Sequence, residues 1–119
     1  DGESSFHSAS GLLQHFIYSE KMPETILISI PNTDRTRDLT PTHTLIGFQG
    51  NEQTGLKNSG GGDNFIKFIK TELAPHVEKN YSSSKFRIFI GHSLGGLLVT
   101  HAFLENEDFF NSFISIFLV

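Results

Sequence analysis

A chain of 119 residues, 37% hydrophobic and 18% charged, has the length and composition of one globular domain over residues 1–119, not of a disordered or fibrous segment. The formal net charge of -4 is mild and the nine Lys and Arg residues are scattered, which argues against a nucleic-acid partner. Cysteine is absent, excluding disulfides, thiolate metal sites and a cysteine nucleophile while leaving the compartment open.

No apolar run approaches the length of a membrane span. The chain opens on Asp1-Gly2-Glu3 instead of a basic and then apolar leader, an opening typical of mid-protein sequence. Asp1-Gly2-Glu3-Ser4-Ser5 is turn chemistry. Residues 6–20 follow with Leu12, Leu13, Phe16 and Ile17 at helical spacing, predicting an amphipathic helix ended by Pro23. Thr25-Ile26-Leu27-Ile28-Ser29-Ile30, bounded by Pro23 and Pro31, has the form of a strand buried on both faces of a parallel sheet.

Residues 31–63 show little periodicity, apart from the apolar interruption Thr44-Leu45-Ile46-Gly47-Phe48, and read as a long loop. Within it, residues 32–41 gather two arginines, two aspartates and three threonines. That composition suits a solvated loop held by its own side-chain hydrogen bonds. Gly60-Gly61-Gly62 reads as a hinge before Asp63, a candidate N-cap. It lacks the following Lys-Ser/Thr and the preceding strand that nucleotide cradles need. The next helix carries Phe65, Ile66, Ile69, Leu73 and Val77 on one stripe, with a kink or early end near Glu72 expected from Pro75.

Asn80-Tyr81-Ser82 matches a glycosylation acceptor by chance. Residues 86–90 form an apolar strand, residues 94–105 a proline-free helix, residues 106–108 a turn and residues 113–119 a last strand. Strands alternating with helices imply an α/β fold with a mostly parallel sheet, right-handed crossovers and helices on both faces.

The junction of the strand at 86–90 with the helix at 94–105 reads Gly91-His92-Ser93-Leu94-Gly95-Gly96. This contains G-x-S-x-G, in which a serine occupies a tight strand-to-helix turn and small flanking residues let the backbone bend. Ser93 is the candidate nucleophile. A serine hydroxyl needs a base, a group to orient that base, and donors for the oxyanion. The backbone N–H of Leu94, at a helix start, supplies one donor. None of the six histidines fits the base: His92 adjoins the serine and His101 lies two turns up the helix, while His7, His15, His43 and His76 read as surface or cleft residues. Their spacing matches no metal motif, so neither a metal nor another cofactor is expected.

Four segments in order carry a wider resemblance: Asp1-Gly2-Glu3 with Phe6-His7, residues 30–41, Gly62-Asp63-Asn64-Phe65, and Gly91-His92-Ser93-Leu94-Gly95-Gly96. Together they resemble the Putative esterase family, α/β-hydrolases that include esterase D and enterochelin esterase. The resemblance implies a partial α/β-hydrolase fold and a serine carboxylic-ester hydrolase acting on a small-molecule ester through Ser93. It further implies the N–H of Glu3 as second oxyanion donor, and places His7, Arg35, Arg37 and Asp38 beside the cleft. The family's acid and histidine follow later strands, and its third strand precedes Asp1-Gly2, so the 119 residues read as an internal fragment. The alternative is a catalytically inactive truncated or pseudo-hydrolase module that keeps the scaffold and a binding cleft. The ester and the oligomeric state stay open.

Overall fold

Glycine-tolerant acidic and hydroxyl residues at the start of the chain enter a helix directly: α1 spans Gly2–Tyr18, with Glu3 in its first turn. The expected turn at residues 1–5 is therefore helical from Gly2 in this computed structural model, which describes residues 2–47, 49–105 and 108–117. An acidic residue near a helix N-terminus complements the dipole, which accounts for the earlier start. The end of α1 is not the work of Pro23. Glu20 takes a left-handed conformation at φ 56°, Glu20 N–H donates to Ile17 O at 3.0 Å and Lys21 N–H to Phe16 O at 2.9 Å. Those two bonds are a Schellman motif, which satisfies the last carbonyls before the proline is reached.

Two compact units follow from the backbone contacts, Asp1–Thr33 and Asp34–Val119. In the first, residues 25–30 do not form the expected strand. Ile26 and Ile28 stay 44% and 43% exposed, so the segment is not buried on two faces. A strand exists only through ladder pairing. Among the described residues none pairs with this run in a ladder, although Gly2 N–H donates to Ile30 O at 3.2 Å.

In the second unit the expected loop at 31–63 is largely built structure. A short helix, α2 (Arg35–Leu39), is capped by Asp34, whose carboxylate accepts the Arg37 N–H at 3.0 Å and Asn58 Nδ2 at 2.7 Å. Ser59 Oγ accepts from Thr44 N–H and donates to Thr44 O, each at 2.9 Å. Ile46 and Glu52 form an isolated antiparallel bridge, and a 3₁₀ turn spans Thr54–Leu56. The side-chain hydrogen bonds read from composition are thus present, but they bury Asp38, Leu39, Thr40 and Ser59 instead of leaving the segment solvated.

The glycine triplet is a clip and not a hinge. Gly60 N–H donates to Thr40 Oγ1, Gly61 N–H to Arg37 O and Gly62 N–H to Thr40 O, all within 3.0 Å. Gly60 has φ 98°, and a Cβ there would lie 2.6 Å from His43 N, so both conformation and space demand glycine. Gly61, not Asp63, is the N-cap of α3 (Gly62–Phe68).

A π-helical turn, Ile69–Leu73, joins α3 to α4 (Ala74–Asn80). Pro75 stands in the first turn of α4, where its missing N–H costs least. The wider π turn absorbs the proline, so the helical path continues beyond the expected stop near Glu72. Ile66 and Ile69 are the buried members of the expected stripe.

The two strands are β1 (Ile88–His92) and β2 (Ser112–Ile116), parallel and in register Ile88↔Ser112 to His92↔Ile116. Both differ from the expected 86–90 and 113–119. Arg87 is bracketed by Asn111, whose Oδ1 accepts Arg87 N–H and whose N–H donates to Arg87 O, each at 2.8 Å, so the ladder begins at Ile88. Phe117 lies beyond β2, and residues 118–119, like 106–107 of the expected turn, fall outside the described residues. Between the strands runs α5 (Leu94–Leu104), packed on both of them and on α2. Alternation puts Phe89, Gly91, Phe113 and Ser115 on the face toward α5. Leu98, Val99 and Ala102 of α5 are each 1% exposed, and Phe89 stacks on Phe110 at 4.5 Å.

The other face exposes Ile88, Ile90, Ile114 and Ile116, so the expectation of helices on both faces is met on one face only among the described residues. The parallel strands and helices nonetheless make the α/β class plain. No described helix is long and apolar enough to cross a membrane.

Candidate active site

Ser93 is the single residue between β1 and α5, and the change from extended to helical backbone falls on it. Its φ of 56° and ψ of -119° lie where an L-residue costs of order 1–3 kcal/mol. Surrounding contacts hold it there. Ser93 N–H donates to Ile116 O at 2.9 Å, and Ser93 O accepts Leu97 N–H at 3.0 Å. The residue itself is exposed, so the strained turn presents its side chain at the surface.

The glycines divide this work unequally. A Cβ on Gly91 would stand 2.1 Å from Gly95 O, and one on Gly96 would stand 3.0 Å from Ser115 Oγ and 3.1 Å from Ile116 O. Gly95 has open space around it. The expectation that the glycines two residues to either side of Ser93 both relieve crowding therefore holds for Gly91 and fails for Gly95; Gly96 is the second tight position.

Leu94 is the first residue of α5, so its N–H has no intrahelical acceptor and points along the dipole toward the turn. His92 is exposed and sits opposite Ile116 on the open face of the sheet. Among the described residues no histidine hydrogen-bonds to Ser93. His101 Nε2 instead lies 2.8 Å from Asp63 Oδ1, about 12 Å up α5 from the serine by helical rise. That pair lines a cavity of about 300 Å³ with Lys67, Lys70 and Glu105, which does not include Ser93.

Arg35, Arg37 and Asp38 lie on α2, which packs against α5. Asp38 is buried, and its Oδ1 accepts from Arg37 Nε at 2.7 Å. This bond and the carboxylate's charge raise the Arg37 pKa above its ordinary value. Glu3 and His7 belong to α1 in the first unit, Glu3 in its first turn and His7 exposed with its ring edge against Phe6. The elbow residues thus run from the end of β1 into the first turn of α5, the helix against which α2 packs.

Sequence reasoning missed three residues that hold the turn. Ser115 Oγ donates to Gly96 O at 2.9 Å, Thr100 Oγ1 lies 2.9 Å from the same carbonyl and 3.1 Å from Ser115 Oγ, and Ile116 O accepts Ser93 N–H. The alternation of residues 112–116 was the available signal, because it puts Ser115 on the same face as Phe113; its place beside Gly91 comes from the register.

Known proteins are similar to this chain in sequence and in fold. An IroE-like serine hydrolase from Shewanella oneidensis superposes with a TM-score of 0.91 at 35% identity, over 97% of this chain and 37% of that one. The ferri-bacillibactin esterase BesA of Bacillus subtilis (strain 168) is 42% identical over 57 residues, 47% of this chain and 20% of that protein. The apo-salmochelin esterase of Escherichia coli O6:H1 (strain CFT073) is 37% identical over 54 residues, 44% of this chain and 17% of that protein. The chain spans well under half the length of each. The likeness to that serine hydrolase, over the part this chain covers, is consistent with the partial α/β-hydrolase fold that the family resemblance implies. The model of the Putative esterase family matches residues 1–117, and the chain belongs to that family.

Proposed function

We propose that the protein is a serine carboxylic-ester hydrolase that works through an acyl-enzyme on Ser93. The observation that carries this reading is the positive φ of an exposed serine between β1 and α5, a strained geometry that a plain structural turn would not need. Ser93 Oγ attacks the ester carbonyl, and the backbone N–H groups of Leu94 and Glu3 receive the negative charge on the carbonyl oxygen. The base and acid come from outside these 119 residues, a reading supported by the greater length of the relatives. The family resemblance assigns His7, Arg35, Arg37 and Asp38 to the substrate side, with Arg37 paired to Asp38.

Two relatives are named as esterases of ferri-bacillibactin and apo-salmochelin, which favours a siderophore ester as substrate. The test is hydrolysis of ferri-bacillibactin and of a simple aryl ester by the full-length parent that supplies the base and acid, with Ser93→Ala in that parent as control. Turnover of both by the parent and neither by the variant supports the reading. The second reading is a non-catalytic module, favoured by the absence of any histidine bonded to Ser93 among the described residues; it requires that parent and variant be equally inert.

A further inference from the structure

We infer that Ser115 is a positioning residue for the nucleophile, acting through the first turn of α5; the inference rests on the serine-hydrolase reading above. Two interactions reach that turn from β2, and Thr100 of α5 adds a third. Ile116 O accepts Ser93 N–H at 2.9 Å. Ser115 Oγ donates its proton to Gly96 O at 2.9 Å. Thr100 Oγ1 lies 3.1 Å from Ser115 Oγ and 2.9 Å from Gly96 O, so its proton completes the cluster on either acceptor.

The register explains why this strand can do so. Ser115 is paired with Gly91, and both face α5, but Gly91 has no side chain. The gap lets the backbone of Gly95 and Gly96 come down onto the sheet, with a built Gly91 Cβ only 2.1 Å from Gly95 O. Ser115 Oγ then reaches the Gly96 carbonyl, one residue beyond Gly95. With the helical N–H of Thr100 on one lone pair of that carbonyl, the second is within reach of both the Ser115 and the Thr100 hydroxyls.

Anchoring Gly96 from outside the helix fixes the rotation of the first turn about its axis. Ser93 and Leu94 are carried on that turn, so its rotation sets both the nucleophile and the oxyanion donor. Small displacements at such a site are costly, a 1 Å shift reaching about a hundredfold in rate. Loss of one neutral hydrogen bond at one remove from the reacting atoms is expected to cost less, about three- to tenfold.

The test measures kcat and KM for aryl-ester hydrolysis by the full-length parent and its Ser115→Ala, Ser115→Thr, Thr100→Val and Ser93→Ala variants, each normalised to folded sites by thermal unfolding. Ser115→Ala should lower kcat about three- to tenfold with KM within about twofold, and Ser115→Thr, which keeps the hydroxyl, should recover most of the loss. An unchanged kcat in Ser115→Ala, or a loss confined to KM, overturns the inference. So does a loss that follows the unfolded fraction and is not recovered by threonine. If Ser115→Ala does not fold, Thr100→Val decides: a lower kcat at constant KM supports the inference and an unchanged kcat overturns it. Activity retained in Ser93→Ala would sink the underlying hydrolase reading instead, so the two failures are separable.

Discussion

The N–H of Ser93 and the carbonyl of Ile116 are joined at 2.9 Å, so the last residue of one strand fixes the backbone of the residue that ends the turn after the other. Ser93 stands at φ 56° with its neighbours in contact with β2. The strain at the turn is therefore borne by the parallel pairing of β1 and β2, which Phe89, Phe110 and Phe113 back with ring contacts.

Gly91 and Gly95 should respond oppositely to alanine. A Cβ at Gly91 collides with the Gly95 carbonyl at 2.1 Å, whereas none of the surrounding atoms lies within 4 Å of one at Gly95. Gly91→Ala is expected to destabilise by about 3 kcal/mol or more, through backbone strain that no side chain can relieve. Gly95→Ala should be neutral or stabilising by up to about 1 kcal/mol, since alanine is the better helix former. Urea unfolding of the two variants measures both.

Leu98 packs at the centre of the second unit, 1% exposed, and its Cδ1 would lie 2.8 Å from a Cβ on Gly62. Leu98→Ala is expected to cost about 2–5 kcal/mol by leaving a cavity between α3 and α5. Gly62→Ala should fail for the opposite reason, overpacking. If the two faults are complementary, the double variant unfolds at a higher urea concentration than the sum of the single losses implies.

Stability should fall in acid through Glu78. Lys85, at 2.6 Å, and then Arg87 hold its carboxyl below the usual range. With a folded-state value below the unfolded one, the unfolded chain takes up the proton first as pH falls. The stabilisation is complete above about pH 4.5 and is lost as pH drops through the lower folded-state value. Thermal unfolding between pH 6 and pH 3 should show a shallower decline in Glu78→Gln than in the parent. A residual slope will remain from Asp34, lowered chiefly by the Arg37 N–H and then by Asn58.

Local patterns in the chain were enough for the parts of the fold that depend on neighbours in sequence. The helices outside residues 31–63, the strand–turn–helix around Ser93 and the later strand follow from apolar spacing and from small residues at one turn. Interactions set by partners distant in sequence were not legible. Residues 25–30 are as apolar as β1, yet pairing and not composition makes a strand. Gly60-Gly61-Gly62 looked loose because glycine is permissive, but Arg37, Thr40 and His43 close around it. Asn111 shortened the expected strand at Arg87, and a π turn kept Pro75 within one helical path. At the site, Ser93 and Leu94 were readable from the motif itself, whereas the roles of Gly96, Thr100 and Ser115 needed the register of β2 against β1.

The most direct test of the account is covalent labelling of the protein with a fluorophosphonate, followed by peptide mapping by mass spectrometry. The account predicts one phosphonyl adduct, on the peptide holding Ser93, absent in Ser93→Ala and accompanied by loss of ester hydrolysis. An adduct on another serine, or ester hydrolysis that survives in Ser93→Ala, would contradict it.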